Sequence, residues 1–188
     1  MNKKAHSNPK SNAWLIYFAI MLVISVGVVF GSSAIAKAAK EADNKPVAVD
    51  FTIASTTPMS VAENELGITG VEKAFDGANN VVAYVIKQQA VGYNQESPIE
   101  MATTITADGK IVCGIEIISQ EETEYLGVRI MEDSFTNQFK GRQLPLKGAG
   151  SILKGSEVDL IARSTVSSQA VVDAVNNAQE YVTANLAE

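Results

Sequence analysis

The sequence predicts one N-terminal transmembrane helix followed by a small α+β domain with an antiparallel sheet and packed helices. Three observations carry this prediction. An apolar run near the N-terminus is long enough to cross a bilayer. Runs rich in β-branched and aromatic residues then come before and between segments with helical character. The last segment carries one apolar stripe at helical spacing, which faces a core.

The N-terminal region divides into a polar tail at residues 1–12, an apolar segment at residues 13–34 and a linker at residues 35–50. The apolar segment contains no charged residue, and a helix of about 20 residues spans the hydrocarbon core of a bilayer. Trp14 and Tyr17 stand where aromatic rings favour the membrane interface. We therefore predict an uncleaved transmembrane helix. The alternative is a cleaved signal peptide, whose apolar core usually has about 7–15 residues.

The charges on either side of the apolar segment predict its orientation. Three lysines and no acidic residue precede it, whereas the lysines that follow are accompanied by acidic residues. The prediction is a single-pass protein of the cell membrane, with a cytoplasmic N-terminus and residues 51–188 outside the cytoplasm. Residues 46–188 carry 9 Lys/Arg and 19 Asp/Glu, a net charge of −10, which argues against a nucleic-acid partner and equally disfavours docking of the domain as a whole on an anionic lipid surface.

Cysteine and histidine usage limits the chemistry of the chain. Cys113 is the only cysteine and lies in an apolar run, which predicts a buried structural thiol. His6 is the only histidine and lies in the tail, so a His/Cys zinc site and a His-based catalytic triad are excluded. No metal ligands or catalytic residues are predicted. Any redox chemistry must come from a bound cofactor.

The order of elements follows from local patterns. Residues 51–80 are interpreted as loops with one short helix, and residues 81–93 as a strand. Residues 99–119 form a predicted hairpin around Asp108 and Gly109, because Asp-Gly is a favoured pair for tight turns.

The second half of the domain is predicted to be mainly helical. Residues 121–141 have helical character and stop at Gly141, a candidate C-cap. A Gly-rich loop then leads to a short strand at residues 158–162, and the last helix begins near Val166. The apolar stripe of this last helix consists of Val171, Val175, Ala178, Val182 and Leu186.

Four hydroxyl side chains surround the predicted start of the last helix: Ser164, Thr165, Ser167 and Ser168. A helix N-terminus presents unpaired N–H groups and a partial positive charge. One interpretation is therefore that Ser167 or Thr165 is simply an N-cap. The other is that the cluster holds an anion such as a phosphate, either by hydrogen bonds or by a covalent bond.

The stretch VDLIARSTVSSQAVVDAV, which contains this cluster, resembles a known flavinylation motif. The motif belongs to the family that includes the G subunit of the Rnf complex and the C subunit of the sodium-pumping NADH:quinone oxidoreductase. The resemblance implies that a flavin transferase esterifies the phosphate of FMN to the hydroxyl of Thr165. Asp159 matches the leading acid of the motif, and Ser164 and Ser167 become candidate cofactor-binding residues.

Two further segments resemble the same family in the same order. EETEYLG resembles its Glu-Thr-Pro-Gly-Leu-Gly turn, and FTNQFKG resembles its segment ending in Gln-Phe-x-Gly. The resemblance covers about residues 81–180 and implies that residues 51–188 are an extracytoplasmic FMN-binding domain. The turn residues that it assigns to the flavin are Glu122, Thr123, Leu126 and Gly127.

Two positions depart from the family pattern. Ala162-Arg163-Ser164 stands in place of Ser-Gly-Ala, and Glu124-Tyr125 in place of Pro-Gly. Arg163 can offer a guanidinium fork to a phosphate, but it also replaces a glycine of the pattern that the transferase recognises.

The implied function is that of a membrane-anchored flavoprotein subunit of an Rnf-type ion-translocating ferredoxin:NAD+ oxidoreductase. Its partners are integral-membrane, iron–sulfur and flavin subunits. Two alternatives remain open, a flavin-free assembly subunit of the same complex and a stand-alone extracytoplasmic flavin carrier. An autonomous hydrolase is poorly supported, since Asp159, Glu121 and Glu122 are interpreted as solvated or turn residues and no base partners the hydroxyls.

Overall fold

The computed structural model describes residue 41 and residues 44–186. The predicted tail at residues 1–12 and the predicted transmembrane segment at residues 13–34 lie outside these described residues. Within the part that is described, no helix has the length and apolarity needed to cross a membrane.

A six-stranded antiparallel sheet forms the body of the domain. Its strands lie in sequence order, so that neighbours in the sheet are also neighbours in the chain. This confirms the prediction of an α+β domain built on an antiparallel sheet. The strands are β1 (Ser55–Met59), β2 (Ile68–Phe75), β3 (Val81–Ala90), β4 (Ile99–Thr106), β5 (Ile111–Ser119) and β6 (Arg142–Gln143).

The prediction that residues 51–80 are loops with one short helix is wrong. They contain strands β1 and β2. β1 is an exposed edge strand with little apolar character. β2 is irregular, because its register against β3 shifts between Ile68 and Gly70 and again between Ala74 and Phe75. Its buried residues therefore do not alternate with a period of two, which is the signal that identifies a strand in a sequence.

The predicted hairpin at residues 99–119 is confirmed as the β4–β5 pair. Gly109 has a φ of +71°, a conformation that glycine adopts without steric cost. The hydroxyl of Thr106 donates a 2.6 Å hydrogen bond to Asp108 and holds the pKa of that carboxyl below its usual value. On β5, burial raises the pKa of the half-buried Cys113 thiol to about 11, and the charge of Asp108 adds to the rise.

The prediction of a single helical segment at residues 121–141 is also wrong, since the chain there forms three short pieces. A 3-10 turn at Gly127–Met131 precedes the short helix α1 (Asp133–Thr136), and a second 3-10 turn follows at Asn137–Phe139. Glu132 has an extended backbone and separates the first two pieces. Gly141, the predicted stop, has a φ of +71°.

A two-stranded parallel sheet joins β7 (Leu146–Gly148) to β8 (Ser156–Val158). The strand expected at residues 158–162 therefore ends at Val158. After Val158, the backbone forms hydrogen bonds with side chains and not with a neighbouring strand. Gln138 both donates to and accepts from the backbone of Asp159, at 3.2 and 2.8 Å, and Ser168 accepts the N–H of Ile161 at 3.2 Å.

The long helix α2 (Thr165–Asn185) packs across β3 and β4 and supplies both halves of the core. Its first half contributes to one apolar cluster together with Phe135 and Phe139, whose rings meet edge to face at 5.2 Å. Its second half contributes Tyr181 and Val182 to the other cluster. The predicted stripe is confirmed: its first four residues are buried, and Leu186 packs against the second cluster.

Candidate functional site

The start of α2 is organised differently from the simple capping interpretation. Ser164 occupies the N-cap position, with φ −132° and ψ 36°, and no side chain caps the helix. The interpretation that Ser167 or Thr165 is the N-cap is therefore wrong.

Each hydroxyl of the cluster has a distinct environment. Ser168 donates to the carbonyl oxygen of Ser164 at 2.8 Å, which fixes the first turn from inside. Ser167 donates to the carboxylate of Glu122 at 2.7 Å. The hydroxyl of Ser164 is buried and has no hydrogen-bond partner among the described residues. Thr165 is exposed. The cluster therefore presents one free buried hydroxyl beside one exposed hydroxyl.

Glu122 connects this helix start to the rest of the site. Its side chain is only 6% exposed, so the interpretation of Glu122 as a solvated residue is wrong, although it does begin the turn that ends at Gly127. Besides the hydroxyl of Ser167, its carboxylate accepts the backbone N–H groups of Tyr93 and Asn94, both at 3.2 Å. A buried carboxylate with three donors is a structural joint, because it connects its own segment to two others, residues 93–94 and the start of α2.

The side chain of Glu122 fits in its position because two neighbouring residues are glycines, which have no Cβ atom. A Cβ placed on Gly92 would lie 2.1 Å from Oε1 of Glu122, and one on Gly127 would lie 2.5 Å from its Cβ. Real Cβ atoms do not approach neighbours so closely. The family resemblance assigns Gly127 to the site, and the structure shows close packing as the physical reason for glycine at this position.

The Glu122–Gly127 turn is closed by Thr123. The carbonyl oxygen of Thr123 accepts the N–H of Gly127 at 2.8 Å, and its hydroxyl accepts the same N–H at 3.1 Å. Leu126 projects from this turn with 37% of its surface exposed.

A cavity of about 310 Å³ lies between this turn and the start of α2. That volume falls at the lower end of the roughly 300–1,000 Å³ typical of small-molecule sites. Seven of its lining residues lie in the two sequence-predicted motifs, although the sequence does not single out Val166, and Tyr93 lies in neither motif. The lining residues are Tyr93, Thr123, Leu126, Arg163, Ser164, Thr165, Val166 and Ser167.

Tyr93 and Val166 are the lining residues that sequence reasoning missed. Both are largely exposed, at 64% and 55%. Val166 carries a usable signal, because it is an apolar residue off the buried stripe of an amphipathic helix. Tyr93 carries no such signal in the sequence, because it is placed at the cavity by the hydrogen bond from its backbone N–H to Glu122.

Both departures from the family pattern occur at residues with left-handed backbones. Arg163 has a φ of +67° and Tyr125 a φ of +64°. These are the positions at which the family motifs carry glycine, and a non-glycine residue there costs roughly 1–2 kcal/mol. Both residues therefore adopt the left-handed backbone conformation that glycine adopts without steric cost.

The arrangement suits an amphipathic ligand with a ring and an anionic group. Tyr93, Leu126 and Val166 supply apolar surface, and the start of α2 supplies unpaired N–H groups, hydroxyls and the cation of Arg163. Among the described residues no group of three His, Cys, Asp or Glu side chains is placed to hold a metal ion.

Comparisons with known proteins bear on this cavity. The family model of the FMN-binding domain matches residues 92–180, which include every residue that lines it. The G subunit of the ion-translocating oxidoreductase complex of Methanosarcina acetivorans is 33% identical over 139 residues, which are 74% of this chain and 71% of the relative. The G subunit of the Na(+)-translocating ferredoxin:NAD(+) oxidoreductase complex of Acetobacterium woodii is 32% identical over 141 residues, 70% of this chain and 66% of the relative.

Solved structures show the same fold at lower identity. NqrC of Shewanella oneidensis superposes with a TM-score of 0.52 at 17% identity, covering 72% of this chain and 76% of that protein. The C subunit of the Na(+)-translocating NADH-quinone reductase of Parabacteroides distasonis gives 0.50 at 17% identity, covering 70% and 78%.

Proposed function

We propose a function for this chain from the premise that it belongs to the family of NqrC proteins and the G subunits of ion-translocating oxidoreductase complexes. FMN is the cofactor of this family's domain. The proposal is that the chain is the membrane-anchored, FMN-carrying electron-transfer subunit of an Rnf-type ferredoxin:NAD+ oxidoreductase. The observation that carries it is the convergence of the Glu122–Gly127 turn and the Arg163–Ser167 helix start on one cavity.

The residues present fit FMN. The apolar side chains of Tyr93, Leu126 and Val166 offer a wall for a flat aromatic ring. The buried hydroxyl of Ser164, which has no partner among the described residues, stands at the helix end where a phosphate is favoured. When bound, FMN supplies one- and two-electron transfer, and the chain itself supplies position and electrostatics.

We propose that Thr165 carries the flavin through a phosphoester bond formed by a flavin transferase. The threonine hydroxyl loses its proton and its oxygen bonds to the FMN phosphorus, while the bond from that phosphorus to the leaving group of a flavin-nucleotide donor breaks. Thr165 is the exposed hydroxyl of the cluster, whereas Ser167 and Ser168 are buried and already hydrogen-bonded. An attacking enzyme can therefore reach Thr165 alone among the three. The helix end by itself contributes only about 0.3–1 kcal/mol to holding an anionic group at an exposed site, and a covalent bond would retain the cofactor independently of that contribution.

Arg163 bears on the alternative of a flavin-free assembly subunit. Its left-handed backbone supports the flavin-carrying function, because the turn before Thr165 keeps the shape that the family's glycine provides. If the transferase instead requires glycine itself, the native chain lacks flavin and Arg163→Gly gains it. That pair of results would establish the assembly role.

The test of the proposed function is co-purification from native membranes. Tagged chain solubilised in mild detergent should bring down integral-membrane and iron–sulfur subunits and should show flavin absorbance. Chain that purifies alone with bound flavin would point to a stand-alone carrier. Chain that purifies in the complex without flavin would point to the assembly role.

Membrane anchoring is a separate part of the proposal and rests on the apolar segment at residues 13–34. We propose that this segment stays attached, with the N-terminus in the cytoplasm and the flavin domain outside. In a Cys113→Ser background, a cysteine at Asn80 should react with an impermeant maleimide in intact cells, whereas one at Asn8 should react only after lysis. Asn80 suits this purpose because it lies in an exposed turn. The reverse labelling would overturn the orientation.

A further inference from the structure

The chain enters the domain at one particular edge. The side-chain oxygen of Asn44 accepts the N–H of Glu157 at 2.5 Å, and the carbonyl oxygen of Asn44 accepts a hydrogen bond from the guanidinium of Arg142. Val47 then donates its N–H to the carbonyl oxygen of Gly141 at 2.8 Å. The first continuous stretch of described chain is thereby tied to β6 and β8.

The loop from β7 to β8 exposes two adjacent apolar side chains beside this entry point. Ile152 is 100% exposed and Leu153 is 66% exposed, and we call this pair the apolar tip. The loop closes onto Ser156, the first residue of the strand to which Asn44 is bound. Single exposed apolar residues are common, but an adjacent pair on one short loop offers a concentrated apolar surface.

The charge of the surrounding segment is opposite to that of the rest of the domain. Residues 140–156 contain four basic residues and no acidic one, a net charge of +4. Since residues 46–188 carry −10 in total, the remainder carries −10 − 4 = −14. Lys140 and Lys154 are exposed, whereas Lys147 is paired with Glu157 at 3.5 Å.

We propose that this basic segment docks on the anionic lipid surface, with the apolar tip inserted among the lipid headgroups. Lys140 and Lys154 then face the headgroup charges, and the acidic remainder of the domain stays in solution. Apolar side chains combined with lysines are the combination that binds proteins at a bilayer interface. The proposal rests on the membrane anchor proposed above.

The length of chain before Asn44 favours lipid over a protein partner as the occupant. If the apolar segment ends at residue 34, only ten further residues reach Asn44, and they span at most about 36 Å. The edge that carries Asn44 is therefore at most about 36 Å along the chain from the end of the apolar segment, which leaves it within reach of the bilayer surface. Docking of the tip then needs no third molecule.

Depth-dependent quenching tests the proposal with the full chain in vesicles. In the Cys113→Ser background, an environment-sensitive fluorophore is attached at Leu153→Cys, and the chain is reconstituted into phosphatidylglycerol-containing vesicles. Lipids brominated near the headgroup should quench this fluorophore. Adding Ile152→Asp and Lys154→Glu to the same chain should abolish the quenching.

Ile118→Cys provides the matched control. Ile118 is 51% exposed and lies on β5 six residues from Val112, which pairs with Arg142 of β6. It is therefore about 20 Å along the strand from the point where β6, which carries the entering chain, pairs with β5, and its fluorophore should stay unquenched. Equal quenching at both positions would overturn the docking. Absence of quenching at Leu153 would also overturn it and would indicate a protein partner for the apolar tip. Carbonate extraction of the same vesicles separates the two proposals, because only release of the chain would also overturn the anchor.

Discussion

Thr165→Ala should abolish covalent attachment of FMN completely while the domain still folds. Thr165 is exposed and its side chain does not cap the helix, so its replacement removes the attachment oxygen and little else. Alanine is also a good helix former in the first turn. Intact-protein mass spectrometry of chain from the native host should show one FMN less one water in the native chain and no added mass in the variant.

Ser168→Ala provides the matched control for this experiment. Ser168 lies in the same helical turn, but it is buried and its hydroxyl is committed to the backbone of Ser164 and Ile161. This variant should retain the added mass. Attachment that persists in Thr165→Ala would move the bond to another hydroxyl, and Ser164 is the first candidate because its oxygen has no partner among the described residues.

Glu122→Ala should destabilise the domain by about 2–4 kcal/mol. The change removes the acceptor of three hydrogen bonds and leaves the N–H groups of Tyr93 and Asn94 and the hydroxyl of Ser167 without it. A buried donor left unsatisfied costs about 1–3 kcal/mol, and water entering from the adjacent cavity offsets part of the sum. Guanidinium unfolding of the detergent-solubilised chain, followed by circular dichroism, measures the change in the free energy of unfolding.

Two variants frame this result. Glu121→Ala removes the neighbouring exposed carboxylate and should change the free energy of unfolding by no more than about 0.5 kcal/mol. Glu122→Gln keeps the size of the side chain but replaces one carboxylate oxygen with an NH2 group. Both oxygens of Glu122 accept hydrogen bonds, so in either orientation of the amide this NH2 group faces another donor. The free energy of unfolding of Glu122→Gln should therefore lie between those of Glu122→Ala and Glu121→Ala. A Glu122→Ala variant as stable as Glu121→Ala would mean that Glu122 does not join the three segments.

The sequence predicts well those features of this protein that depend on a few neighbouring residues. The β4–β5 hairpin follows from Asp108 and Gly109, because the preferences of a tight turn are fixed by two residues. The long C-terminal helix follows from its stripe, because period and burial agree along its length. The resemblance to a family rests on short motifs in a fixed order, and these motifs alone identify the turn and the helix start.

The sequence is a poor guide where tertiary contacts replace regular hydrogen bonding. Two register shifts remove the regular burial pattern by which β2 could be recognised in the sequence. The segment after β8 is hydrogen-bonded by the side chains of Gln138 and Ser168 instead of by a neighbouring strand. The pieces between Gly127 and Phe139 have helical composition, but the extended backbone at Glu132 interrupts them.

The sequence by itself, through the family resemblance, pointed to the turn and the helix start of the candidate site. Only the tertiary structure added Tyr93 and Val166 and decided how these residues meet. Glu122 and Ser167 stand 45 residues apart in the chain, and no local pattern predicts the 2.7 Å hydrogen bond that joins them. Its physical reason is burial, since a carboxylate removed from water must find donors, and the donors come from whichever segments the fold brings close. In the same way, the resemblance places Arg163 and Tyr125 where the family's motifs have glycine, while the structure shows that both residues have a left-handed backbone.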